Sequence, residues 1–119
     1  MSPLTNADIR GTVREREQRP LVLDRAEADS LADRARALGD GTRLQLADLL
    51  SQRPEIAVGK LIELTQAERN EKSPSATSHH LSILRKAGLV SRRRRKKQMF
   101  YALTDEGRTM LAAVRGADR

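Results

Sequence analysis

The sequence predicts a mainly α-helical domain with one small β-hairpin. Three observations carry this. Apolar residues recur at helical spacing along several segments between Asp24 and Ala87. The stretch Ser73 to Leu103 reads as a helix, a sharp stop and a hairpin bearing six consecutive basic residues. A last amphipathic segment follows from Thr104. The expected order is α-α-α-α-β-β-α.

Residues 1–20 form a flexible N-terminal arm in this reading. Pro3 and Pro20 bracket a segment with few apolar residues and the mixed-charge run Arg14-Glu15-Arg16-Glu17. Such a composition cannot bury a core of its own. An arm that packs on a partner subunit or reaches DNA is the weaker reading. Residues 21–119 form the folded domain.

The first helix spans 24–38. Asp24 is its N-cap, and Glu27 stands three residues on, as in a capping box. Ala28, Leu31, Ala35 and Leu38 make an apolar stripe, and Gly39 stops it. Asp40 or Thr42 caps the second helix. Leu44, Leu46, Ala47, Leu49 and Leu50 line it on two sides, which marks a central buried helix. Arg53-Pro54 ends it. Val58 to Leu64 is a short third helix with Val58, Leu61 and Ile62 facing inward. The turn before the next helix is normally three to four residues, so the third helix should run on past Leu64.

Ser73 can cap the fourth helix, and Pro74 suits its first position. Thr77, Leu81 and Leu84 recur at i, i+4, i+7 and form its buried face. Ser75, Ser78, His79 and Ser82 lie on another face. These are small or flat hydrogen-bonders, which suit a helix that must enter a groove about 12 Å wide and read base edges. Gly88 tolerates the left-handed conformation that ends a helix. Leu89-Val90 opens a strand. Arg92, Arg93, Arg94, Arg95, Lys96 and Lys97 follow, and Met99 to Leu103 is a second strand of good β-formers. A basic hairpin directly after a groove-sized helix is a wing that lies along neighbouring phosphates. Thr104 caps the last helix, with Asp105 and Glu106 favourably placed in its first turn. Met110, Leu111 and Val114 give that helix an apolar edge. Gly116 to Arg119 is a free end.

Charge is unevenly placed. The net charge is +7. Residues 1–72 hold 12 Lys/Arg and 13 Asp/Glu, whereas residues 73–119 hold 11 Lys/Arg and 3 Asp/Glu. The basic excess therefore belongs to the helix–wing half, which suits a polyanion. Cysteine is absent, which excludes disulfides, thiolate metal sites and a thiol nucleophile. No apolar run approaches the roughly 20 residues of a membrane span, and the N-terminus has no hydrophobic signal core. The expectation is a soluble, cytoplasmic protein with no membrane partner.

Four stretches resemble the ArsR/SmtB family of bacterial winged helix-turn-helix regulators. Leu38 to Leu44, LGDGTRL, looks like the family's L-x-D-P-T-R-L, with Gly41 where proline is usual. Ser78 to Val90 is close to S-H-H-L-x-x-L-R-x-A-G-L-V. Phe100 to Leu103 resembles Y-Y-x-L, and Thr104 to Gly107 resembles T-x-E-G. MarR-like regulators share the outline but are usually longer. The resemblance implies a homodimer that reads an inverted repeat in double-stranded DNA. Its first and last helices would form the subunit interface. Leu31, Met110, Leu111 and Val114 are the interface candidates; their other reading is core within one subunit. Lys96 sits where the family often has glycine, which speaks for a looser and more mobile wing tip.

The family's metal-sensing patterns are incomplete. In Glu55 to Leu61, Ala57 and Gly59 stand where a Cys-x-Cys pair would be, and the last helix has Asp105 and Glu106 but no histidine. His79 and His80 are adjacent and so point to different helix faces. His79 reads as groove-facing and His80 as a packing residue. No cofactor is evident and no metal ligands are assigned. The weaker alternative is a nickel or zinc ion held by carboxylates from Glu15, Glu17, Asp24, Glu27, Asp29 and Asp33, although both ions prefer some imidazole or thiolate. The identity of any effector is left open.

An enzyme is not expected. The chain has no Gly-rich phosphate loop, and Ser78 and His79 diverge as i, i+1 neighbours. Two other readings compete with sequence-specific DNA binding. A winged helix can bind RNA by shape, without needing the Ser/His face. The basic wing could instead meet an acidic protein.

Overall fold

The computed structural model describes residues 22–69 and 74–116. Its elements are α1 (Arg25–Ala37), α2 (Gly41–Ser51), β1 (Ile56–Ala57), α3 (Val58–Arg69), α4 (Pro74–Lys86), β2 (Val90–Arg95), β3 (Gln98–Leu103) and α5 (Asp105–Gly116). The expected helices and hairpin are all present. The order gains one element, because Ile56 and Ala57 form a short strand between the second and third helices. The sheet runs β1-β3-β2 and is antiparallel throughout. The 1–20 arm, Ser73 and residues 117–119 lie outside the described residues.

Local chemistry sets the element ends. At the start of α1 the Asp24 N–H donates to Glu27 Oε1 at 3.0 Å, and the Glu27 N–H donates to Asp24 Oδ1 at 2.8 Å. This reciprocal pair is the capping box. Asp40 caps α2: its Oδ1 accepts from the N–H groups of Thr42 and Arg43 at 2.9 and 3.1 Å. Thr42 is instead buried in the first turn. The third helix does run past Leu64, to Arg69.

Gly88, at φ 79, ends α4. Its N–H reaches the Arg85 carbonyl at 3.0 Å while the Leu89 N–H reaches Leu84 at 3.0 Å, and together they satisfy two terminal carbonyls. Thr104 then joins two elements. Its Oγ1 donates to the Gly88 carbonyl at 2.7 Å and accepts from the Gly107 N–H at 3.0 Å. Gly107 packs so closely that a Cβ there would lie 2.1 Å from the Leu89 carbonyl oxygen. This explains the glycine in the T-x-E-G stretch.

The core within residues 31–119 is built on α2, as its two-sided apolar pattern requires. Leu46, Ala47 and Leu50 meet Leu61 of α3, Leu81 and Leu84 of α4, Leu89, and the sheet residues Ile56, Val90, Tyr101 and Leu103. Ala37 and Leu38, at the C-terminal end of α1, join this core, whereas Leu31 and Ala35 are exposed.

The wing tip corrects the expectation of a loose turn. Arg95 pairs with Gln98, so only Lys96 and Lys97 connect the strands. Lys96 adopts φ 57 and is the only described non-glycine residue with a positive φ. A positive φ at the first central position alone is the type II′ pattern, where glycine is normally favoured. The lysine therefore occupies a tight turn at some conformational cost.

Candidate nucleic-acid interface

The fourth helix presents two chemically distinct faces. Thr77, Leu81 and Leu84 are fully buried. Ser75, Ser78 and His79 are exposed, and Ser82 is half-buried. Pro74 is the first residue of the helix. The polar set therefore lies on the surface of a helix whose other side is fixed in the core. A short polar side chain on such a rigid support can reach a base edge with little entropy to lose.

The wing's six cations are all exposed, yet they are not equivalent. Strand side chains alternate between faces. Arg92 pairs with Tyr101 and Arg94 with Met99, on the side of the sheet where Val90 and Tyr101 are buried. Arg93 pairs with Phe100 on the opposite side. There Glu55, just before β1, accepts a forked pair of hydrogen bonds from Arg93, both at 2.9 Å. Arg95 approaches the same carboxylate at 3.4 Å, and its guanidinium sits over the Phe100 ring at 4.4 Å. The Arg93 hydrogen bonds hold the Glu55 carboxyl below its ordinary value; slight burial opposes this, and the charges of Arg93 and Arg95 add to it. The basic run thus divides. Arg93 and Arg95 are already paired, whereas Arg92, Arg94, Lys96 and Lys97 extend from the other face and the tip.

A second arginine anchors α4 from behind. The Arg43 Nε–H donates to the Ala37 carbonyl at 2.5 Å, and its Nη1 lies 3.2 Å from His80 Nδ1. Arginine has only donors, so in this bond His80 Nδ1 is the acceptor. His80 is thus a packing residue, while His79 faces outward, their ring centroids 6.0 Å apart.

Of the four interface candidates, Leu31 and Val114 are 37% and 38% exposed. Met110 is half-buried. Leu111 is 5% exposed and belongs to the core of its own protomer, so it offers little surface to a second copy. The carboxylates considered for a metal have other uses where they are described. Asp24 and Glu27 cap α1, Asp29 pairs with Arg25 at 3.4 Å, and Asp33 pairs with Arg36. Among the described residues no three His, Asp or Glu side chains converge as metal ligands. Glu15 and Glu17 lie outside them. No described helix is long and apolar enough to cross a membrane.

Glu55 and Arg43 were not singled out as site residues from sequence. Arg43 carried a signal, as the arginine of LGDGTRL. Glu55 did not, because its role depends on a two-residue strand too short to show a period.

Comparison with known proteins agrees with this geometry. Residues 40–92 match the model of the bacterial regulatory protein arsR family. An uncharacterized HTH-type transcriptional regulator of Methanocaldococcus jannaschii is 37% identical over 79 residues, which is 66% of this chain and 82% of that protein. A homologue of the transcriptional repressor SmtB from Synechocystis is 34% identical over 103 residues, covering 87% of this chain and 74% of that one. Among solved structures, the homodimeric winged helix-turn-helix DNA-binding domain of a possible ArsR-family regulator from Mycobacterium bovis superposes with a TM-score of 0.68 at 30% identity, covering 78% of this chain and 82% of that one. From the α4 face, the hairpin and these relationships together, the chain belongs to the ArsR family and is a transcriptional regulator with a winged helix-turn-helix DNA-binding fold.

Proposed function

We propose that the protein acts in the cytoplasm as a homodimer on an inverted-repeat operator, under the control of an effector. Ser75, Ser78, His79 and Ser82, on the helix that begins at Pro74, read base edges in the major groove. The free cations of the wing, Arg92, Arg94, Lys96 and Lys97, hold phosphates and set the register. Two-fold symmetry places the half-sites about one helical turn apart. The observation that carries this reading is the exposed Ser/His face of α4, opposite a buried face that fixes its orientation. Exposed Leu31 and Val114, on the first and last helices, support dimerisation there. No resident cofactor is included in the proposal.

Selection from a random duplex pool at about 0.15 M salt tests it, with metals stripped and then nickel or zinc restored. Enrichment of an inverted repeat is expected. An effect of either ion on enrichment would identify a metal effector. A pool that stays random under every condition would overturn the reading and leave an RNA or an acidic protein as the partner.

A further inference from the structure

We infer that Glu55 is a positioning residue that sets which wing cations meet DNA, and so limits sequence-independent binding. This rests on the proposed DNA-binding reading. Six adjacent cations on a two-stranded ribbon would favour any polyanion, because phosphate attraction is blind to sequence. Discrimination falls instead to the exposed polar face of α4. The two demands conflict unless part of the wing charge is withheld.

Glu55 withholds it. Its carboxylate takes the bidentate geometry that a phosphate would take with Arg93, at 2.9 Å on both arms, and stands 3.4 Å from Arg95. Phe100 holds the Arg95 guanidinium from below. Glu55 belongs to the edge beside β1, whereas both arginines are on β2, at the other edge of the sheet. The contact therefore spans β3 and ties the hairpin to the body of the domain. These contacts offset one of the two positive charges, engage both guanidinium groups and fix the direction in which Arg92 and Arg94 project. Two other described carboxylates pair elsewhere: Asp48 with Arg115, and Glu63 with Lys60. Neither involves the wing.

Two features would follow from the loss of Glu55. Arg93 and Arg95 in both subunits become available to phosphate, and the hairpin loses its tether. The first strengthens binding to any duplex. The second loosens the pose that favours the correct one.

The test compares the unaltered protein, Glu55→Gln, Arg93→Gln with Arg95→Gln, all three changes together, and Arg92→Gln with Arg94→Gln. Each binds the duplex enriched from the random pool and a random-sequence duplex of equal length, across a salt series. For Glu55→Gln the slope of log K against log salt should steepen by about 2 to 4 on the random duplex, from roughly 0.9 per added phosphate. Random-duplex affinity should rise roughly 10-fold or more at 0.15 M salt. The enriched duplex should gain less, so the ratio between them falls. With Arg93 and Arg95 already neutralised, Glu55→Gln should change nothing further. An unchanged slope, or an equal loss on both duplexes, would reduce Glu55 to a structural ion pair. An equal gain in the Arg93/Arg95 background would mean it acts only through net charge. Either result overturns the inference. The Arg92/Arg94 variant tests the underlying reading separately: if it leaves both slopes unchanged, the wing does not meet DNA, and this inference falls together with the wing's part in the proposed function, while enrichment of the inverted repeat still upholds the α4 readout.

Discussion

Arg43 and His80, 37 positions apart in sequence, are joined by a 3.2 Å contact that ties the start of α2 to the fourth helix. The same guanidinium takes the Ala37 carbonyl at the end of α1. One side chain thus connects the C-terminal end of α1, the start of α2 and the helix that carries the Ser/His face. Lysine has no planar fork with which to reach both acceptors. Arg43→Lys should therefore cost about 1.5–3 kcal/mol, the range for hydrogen bonds involving a charged group. Urea unfolding at fixed protein concentration measures this. A loss below about 0.5 kcal/mol would show that the network is not a structural anchor.

Much of this arrangement could be read locally. The buried set Thr77, Leu81 and Leu84 followed from helical spacing alone, and the caps Asp24 and Thr104 followed from side-chain type beside a helix start, which for α2 left Asp40 and Thr42 both open. What could not be read depends on distance in the chain. Glu55 meets Arg93 across 38 positions, and β1 exists only because Ile56 and Ala57 find Tyr101 and Phe100. The division of the basic run was masked by its uniformity: a period of two leaves no trace when both faces carry the same charge. The tight wing turn was missed because lysine does not announce a positive φ as glycine does.

The Asp40 cap predicts a pH dependence. Burial, the largest single influence, pushes its carboxyl up. The Arg43 N–H, the charge of Arg43 and the Thr42 N–H together outweigh that and leave it below the ordinary value of 3.8. A carboxyl with a lowered folded value contributes its full stabilisation above pH 3.8 and loses it as the pH falls through the folded value. Asp40→Ala should cost about 1 kcal/mol at pH 6, and the gap should narrow below about pH 4. Asp40→Asn keeps the cap acceptor but loses the charge, so at pH 6 it should fall between Asp40→Ala and the unaltered protein, and it should lack the pH dependence. A gap between Asp40→Ala and the unaltered protein that is constant from pH 6 to pH 3 would show that the carboxylate charge contributes nothing to the cap.

At Lys96, stability and binding should move in opposite directions. Its φ of 57 suits glycine and costs a lysine about 1 kcal/mol. Lys96→Gly should recover part of this, raising stability by about 0.5–1 kcal/mol. It also removes one cation per subunit. A dimer that uses both should show a salt slope flatter by about 2. Thermal unfolding and salt-dependent titration of the same preparation measure the two effects. A more stable variant with an unchanged slope would place Lys96 away from phosphate.

The division of work between helix and wing has its own signature. His79 is exposed on the polar face of α4, and its imidazole can pair with one base edge and not another. His79→Ala should cost about 1–3 kcal/mol on the enriched duplex and little on a random one. Arg94 and Lys96 can attract any phosphate. Replacing both with glutamine should weaken the two duplexes alike, flattening the salt slope by about 4 if every contact in a dimer is lost. Titrating both variants on both duplexes at two salt concentrations separates the roles. If the histidine and wing variants lost the same energy on both duplexes, α4 would be supplying affinity without readout, and specificity would have to come from the deformability of the DNA.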